Sequence, residues 1–406
     1  MDKLDINKFL ANTFSNKIEQ LDLELLFKEK AKSYGLNFTQ AGELLNIERK
    51  ALIPILNGTA QNPSPVNLLK ISDFLEIDIK TVLASLVKSS ESVSKLEQAR
   101  DASFVAKNFD VDRLYSEGFL SSKKDTEKIL DRILNFFGFT SVVEYLEFKD
   151  KINLVLYSKS KRNFVDKMRN FSVESAYRIF ELISNPNQYK REELIELLPK
   201  IKPYCQDIEK GLYTVCRALF SHGITVIFQK HLTTSQYRGA TFFVNGKPCI
   251  VITDLRKNYV TIWFALLHEL YHVLFDEEEI KREGYHLTGE VQLTLVDEKA
   301  ADSFASDFFV DDAEFRYIKP HIKSNLLVNN FAKKIRVHPA FIYSKFQFYM
   351  QDVENKIYWG AFNQYFPDYK KAVSKLNPIS WREDYSILSI VEDLKQIFEI
   401  QINEKN

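Results

Sequence analysis

The sequence is poor in the residues that punctuate or staple a chain: its 406 residues include 12 glycines, 11 prolines and 3 cysteines. Scarce Gly and Pro mean few tight turns and few breakers, which favours long helices over an all-β architecture. Cys205, Cys216 and Cys249 are odd in number and contain no Cys-x-x-Cys pair, which argues against a disulfide framework and against a cysteine-based zinc site. Net charge is lacking too, with 55 Lys+Arg against 55 Asp+Glu. A polybasic nucleic-acid coat protein is therefore excluded. No uninterrupted apolar run reaches the roughly 18 residues of a membrane span. The opening residues MDKLDINKFL carry acids and no long apolar core, so no signal peptide is expected. Together these absences predict a cytoplasmic protein with no membrane partner. What remains is ordinary for a globular chain: 45% hydrophobic, 27% charged, with 32 Phe and 19 Tyr to fill several cores. At roughly 100–200 residues per domain, two to four domains are expected.

Residues 1–90 read as five short helices separated by polar turns. A stripe from Leu23, Leu26 and Phe27 runs to Ala31 and stops at Gly35. Thr39 is the expected cap of a second helix carrying Ala41, Leu44 and Leu45. A third runs from Glu48 to Leu56, a fourth opens at Pro63-Ser64-Pro65, and a fifth covers about Ile79 to Val87. The polar stretch SSESVSKLEQARDAS (89–103) reads as a linker. Helical patterning fills the rest of 91–200. Near Gly223 the character changes: ITVIF (224–228), ATFFV (240–244) and PCIVITD (248–254) are strand-like, and Asn245-Gly246 between the last two signals a hairpin. From Val260 the pattern is helical to the end. The expected fold class is α+β, mostly α.

The sharpest chemistry lies in FALLHELYHVLF (264–275). His268 and His272 are four apart, so on a helix they share a face and reach one ion at about 2.0–2.1 Å. Glu269 sits beside them, where it can act as the general base on a metal-activated water. The flanks Ile262, Trp263, Leu266, Leu267, Val273 and Leu274 are apolar, so the helix is buried and its polar residues need partners. A second helical pattern, VDEKAADSFASDFF (296–309), offers Glu298 as third ligand, with Asp297 and His286 competing. Asp302, one turn on, is placed to accept the other ring N–H of a ligand histidine. The run Gln236–Val244 is the candidate sheet edge for an extended peptide. The acidic stretch DEEEIKRE (276–283) reads as a solvated loop.

Strands, then a His-Glu-x-x-His helix, then Glu298 followed by Ala301-Asp302 and Phe304-Ala305, resemble the ImmA/IrrE family of bacterial metallopeptidases over roughly residues 210–320. Tyr271 departs from the family, which often has Gly there. The resemblance implies a zincin-like metallo-endopeptidase holding Zn2+ through His268, His272 and Glu298. Other divalent ions suit such N/O ligands as well. Its substrate would be a repressor or another regulatory protein.

Residues 37–77 resemble the XRE-type helix-turn-helix: Thr39-Gln40, the turn Leu45-Asn46-Ile47, a recognition helix from Glu48, and the entry Pro63 to Pro65. That resemblance implies contacts to duplex DNA from Glu48, Arg49 and Lys50, with Thr39 and Gln40 positioning the backbone. Residues 1–90 hold 11 basic and 11 acidic residues, so phosphate attraction is weak unless the charges segregate or the chain forms a homodimer. The alternative is a module kept for protein interaction. Segments 125–148, 169–183 and 328–349 resemble longer fusions of the two families, often HigA-like antitoxins, which implies a toxin partner. The expected organisation is a helix-turn-helix domain (1–90), a helical spacer (91–200), a peptidase domain with a small sheet (201–320) and a helical C-terminal region (321–406). Two functions follow: a regulatory peptidase fused to a DNA-binding domain, or a DNA-binding regulator or antitoxin whose peptidase domain is a scaffold or sensor.

Overall fold

The computed structural model describes residues 21–60, 62–86, 90–156, 166–283, 285–288, 298–354, 360–382 and 384–399. The protein is mostly helical with one small mixed sheet, and it divides into two compact units, Met1–Lys107 and Asn108–Asn406. None of its described helices is long and apolar enough to cross a membrane.

In the first unit, helices Leu23–Ser33, Phe38–Leu44, Arg49–Leu56, Pro65–Leu75 and Ile79–Leu86 close on a core that includes Phe27, Ala41, Leu52, Leu56, Ile71 and Val82. The second helix starts earlier than its sequence suggests. Asn37, not Thr39, is the cap, in a reciprocal box with Gln40: Gln40 N–H donates to Asn37 Oδ1 and Asn37 N–H to Gln40 Oε1, each at 2.9 Å. Asn46, at φ 50°, supplies the left-handed residue that turns the chain toward the third helix. That helix runs through Pro54 and ends two residues later. The expected linker at 89–103 is instead helical, within Ser90–Asn108.

The second unit contains the sheet: β1 (Thr225–Gln229), β2 (Gly239–Val244), β3 (Lys247–Thr253) and β4 (Tyr285–Leu287), in the order β1-β3-β2-β4. β2 and β3 form the hairpin expected at Asn245-Gly246, whose φ values of 51° and 76° are those of a type I′ turn. β1 runs parallel to β3, and β4 antiparallel to β2. β4 lies where the sequence pattern is read as helical, because three residues are too few to show a period of two. It also corrects the expected sheet edge. β2 is flanked by β3 and β4, so Gln236–Val244 is an interior strand over Ala240–Phe242.

The helix Tyr259–Phe275 packs under this sheet with Trp263, Leu266, Leu267 and Leu270 in the core. Residues 108–200 of the segment read as spacer, and the C-terminal region, belong to the same compact unit. Phe119, Phe136 and Phe171 form an aromatic cluster that Trp381 completes, 5.6 Å from Phe171 between ring centroids. The Arg132 guanidinium lies over Phe119 and donates to the carbonyls of Phe119, Arg382 and Tyr385. On the outer side of β1, Ile379 N–H donates to Phe228 O and Lys230 N–H to Ile379 O.

Candidate metal centre

Three elements build the site. The first is Tyr259–Phe275, capped by Asn258, whose side chain accepts from Val260 and Thr261 N–H. Its regular turns place His268 and His272 on one face, fully buried, with their Nε2 atoms 3.0 Å apart. The second is the helix Glu298–Phe309, which packs against the first and brings Glu298 in on its opening turn. Glu298 Oε2 is 3.3 Å from His268 Nε2, and Oε1 is 3.7 Å from His272 Nε2. The third is β4. Its register, Thr241 opposite His286, carries His286 to the same place, with Nε2 2.8 Å from Glu298 Oε1. One donor atom from each of His268, His272, His286 and Glu298 lies within 4.8 Å of all the others, a group that can hold a metal ion. The structure thus assembles both Glu298 and its competitor His286. Asp297 lies outside the described residues.

The outer nitrogens of the two helix histidines meet carboxylates. Asp276 Oδ2 is 2.7 Å from His272 Nδ1, and Asp302 Oδ1 is 2.9 Å from His268 Nδ1. The first contact is a hydrogen bond that orients the His272 ring and leaves its Nε2 as the ligand atom; the second is a close approach without hydrogen-bond geometry. Burial opposes a charge on His268, but Asp302 and Glu298 outweigh it and push its pKa up to about 9. Burial likewise opposes the Glu298 carboxylate, and His268 and His286 overcome it, holding the group well below its usual range.

Glu269 is fully buried beneath β2. Thr241 Oγ1 donates to its Oε2 at 2.7 Å, and Thr288 Oγ1 donates to its Oε1. Gly239 makes room for it: a Cβ there would come within 2.8 Å of Glu269 Cγ and Cδ and collide with Oε1. Tyr271 packs against Phe275 and Phe304, with ring centroids 4.7 and 5.7 Å away.

Several of these partners go unread in the sequence. Asp276 had a signal, four residues after His272 on the same line of the helix. It falls in the stretch read as a solvated loop, yet it is buried, and the helix Glu277–Glu283 follows it. Thr241, Thr288 and Gly239 had none, since only strand register brings them to Glu269. In the first unit, Thr39 and Gln40 lie on the first turn of Phe38–Leu44, and Glu48, Arg49 and Lys50 at the start of Arg49–Leu56; all five are exposed. Lys50 pairs with Glu48 at 2.9 Å. Two cavities, of about 690 and 290 Å³, are lined by other residues, among them Tyr213 and Arg217 in the larger and Gln229 and Tyr369 in the smaller.

Comparison with known proteins returns no matching family model, no matching curated protein and no matching solved structure.

Proposed function

We propose that the chain is a zinc-dependent metallo-endopeptidase joined to a DNA-binding domain, a regulator that cleaves a repressor or other regulatory protein. The observation that carries this reading is the convergence of His268, His272 and Glu298 beside Glu269. Support for a metal comes from buried atoms that lack hydrogen-bond partners, Glu298 Oε1 and both ring nitrogens of His286 among them. Buried polar groups left in that state are costly, and a divalent ion would satisfy Glu298 Oε1 and one nitrogen of His286. Zinc is the proposed ion, since two imidazoles and a carboxylate, with a fourth position for water, are a set it commonly takes. When bound, such an ion supplies Lewis acidity and lowers the pKa of water it holds to about 7.

The chain's residues supply the rest. Glu269 takes the proton of the attacking water on a carboxylate oxygen and returns it to the leaving amine nitrogen. Thr241 and Thr288 each occupy one lone pair of that carboxylate and leave others to accept it. Asp276 holds the His272 imidazole in register, and Asp302 faces that of His268. β4 is the terminal strand on its side of the sheet, where an extended peptide would add. The ImmA/IrrE and XRE resemblances suggest the substrate class and a role for Arg49 and Lys50 on DNA.

One observation favours a second reading. Glu269 is wholly enclosed and both its oxygens are engaged. A DNA-binding regulator or antitoxin with the metal domain as a non-proteolytic scaffold would look the same. Elemental analysis and a survey of new protein N-termini in cells test the two. The peptidase reading expects about one zinc per chain in wild type and in Glu269→Gln, with new N-termini only in wild type. Identical N-termini in the two strains would leave the scaffold reading, and absence of metal from zinc-titrated wild type would sink both.

A further inference from the structure

We propose that His286 is a fourth metal ligand, so that the site as folded encloses its ion with three imidazoles and one carboxylate. This rests on the metal-centre reading above and not on proteolysis.

The first support is the state of His286 itself. It is 1% exposed, and neither ring nitrogen makes a hydrogen bond. Its Nε2 comes within 2.8 Å of Glu298 Oε1, but the approach lacks hydrogen-bond geometry. A core histidine kept for packing alone would satisfy at least one nitrogen, because an unpaired buried polar group costs about 1–3 kcal/mol. Its ring also lies 4.1 Å from the His272 ring, centroid to centroid.

The second support is metric. Ligand atoms about 2.0–2.1 Å from a tetrahedral ion stand about 3.3 Å from one another. Four of the contacts in the cluster are 3.0 Å between His268 and His272, 3.3 Å from His268 to Glu298 Oε2, 3.7 Å from His272 to Glu298 Oε1, and 2.8 Å from His286 to Glu298 Oε1. They bracket the tetrahedral edge. His286 thus takes the position that a catalytic zinc site keeps open.

The third support is the element that carries it. β4 pairs with β2 over only three residues. Thr288 directly follows β4, two residues from His286, and continues the pairing through Thr288 N–H to Gly239 O. His286 reaches the metal donors, and Thr288 donates to Glu269. The short segment 286–288 therefore both closes the coordination shell and supplies one of the two hydroxyls on the base.

The test is X-ray absorption on the full chain loaded with zinc, together with the visible spectrum of the cobalt form. Wild type is expected to show three imidazoles, and its cobalt spectrum to ignore added acetohydroxamate. His286→Ala is expected to show two imidazoles and a solvent oxygen, to respond to acetohydroxamate, and to bind zinc at least about tenfold more weakly. A wild-type site with two imidazoles overturns the proposal without any variant and leaves the metal centre standing. Wild type that takes up neither zinc nor cobalt defeats the metal-centre reading, and this proposal with it.

Discussion

Replacing Asp276 by Ala should weaken zinc binding more than replacing Asp302. Both carboxylates face the outer nitrogen of a histidine, at 2.7 Å from His272 and 2.9 Å from His268. Their surroundings differ. The Asp276 side chain is 11% exposed and that of Asp302 50%, so water competes far more for the second contact. Loss of such an orienting partner typically costs 10–100-fold in metal affinity. Asp276→Ala should sit toward the upper end, about 2–3 kcal/mol, and Asp302→Ala at or below tenfold, about 1.4 kcal/mol. Asp276→Asn should recover part of the loss, because its amide oxygen can still accept from His272 Nδ1–H. Competition against a fluorescent zinc chelator at fixed pH measures all three. The reasoning fails if Asp302→Ala is the more damaging change, or if Asp276→Ala binds zinc as wild type does.

Gly239→Ala should destabilise the second unit by about 1–3 kcal/mol, as overpacking at a fixed backbone does, and a urea melt of the metal-free protein reads it. Glu181 gives a pH dependence. Burial works against its charge, but hydrogen bonds from Lys151 and Arg178 prevail and lower its pKa below the ordinary 4.5. A lowered folded-state pKa adds stability above 4.5 that is lost as the pH falls through the folded value. Glu181→Gln should therefore flatten the acid limb of a stability–pH curve, and an unchanged limb would count against the pairing.

Where periodicity and local chemistry decide the structure, the sequence was readable. The five N-terminal helices, the Asn245-Gly246 hairpin and the buried helix around His268 each rest on contacts within a few residues. The ligand spacing of His268 and His272 follows from one helical turn. The unread parts depend on pairing across long gaps. β4 is too short to show alternation, and its register against β2, more than 40 residues earlier in the chain, decides what His286, Thr288 and Thr241 touch. Composition misled after His272, where an acidic stretch hid a buried orienting carboxylate at Asp276.

The hydrogen bonds between Ile379 and β1 have a consequence for how the second unit is made. Until residues near Ile379 arrive, the outer edge of β1 has bare N–H and C=O groups, and Phe136 and Phe171 lack the Trp381 ring. Bare strand edges and uncovered aromatics are what partly made chains aggregate through. Nascent chains that already contain the histidine helix and its ligands therefore remain unfinished for about another 80 residues, roughly 4–16 s of synthesis. Over that interval a holdase should find them, and a stop codon placed between Asp352 and Asn377 should yield insoluble protein although every candidate ligand is present.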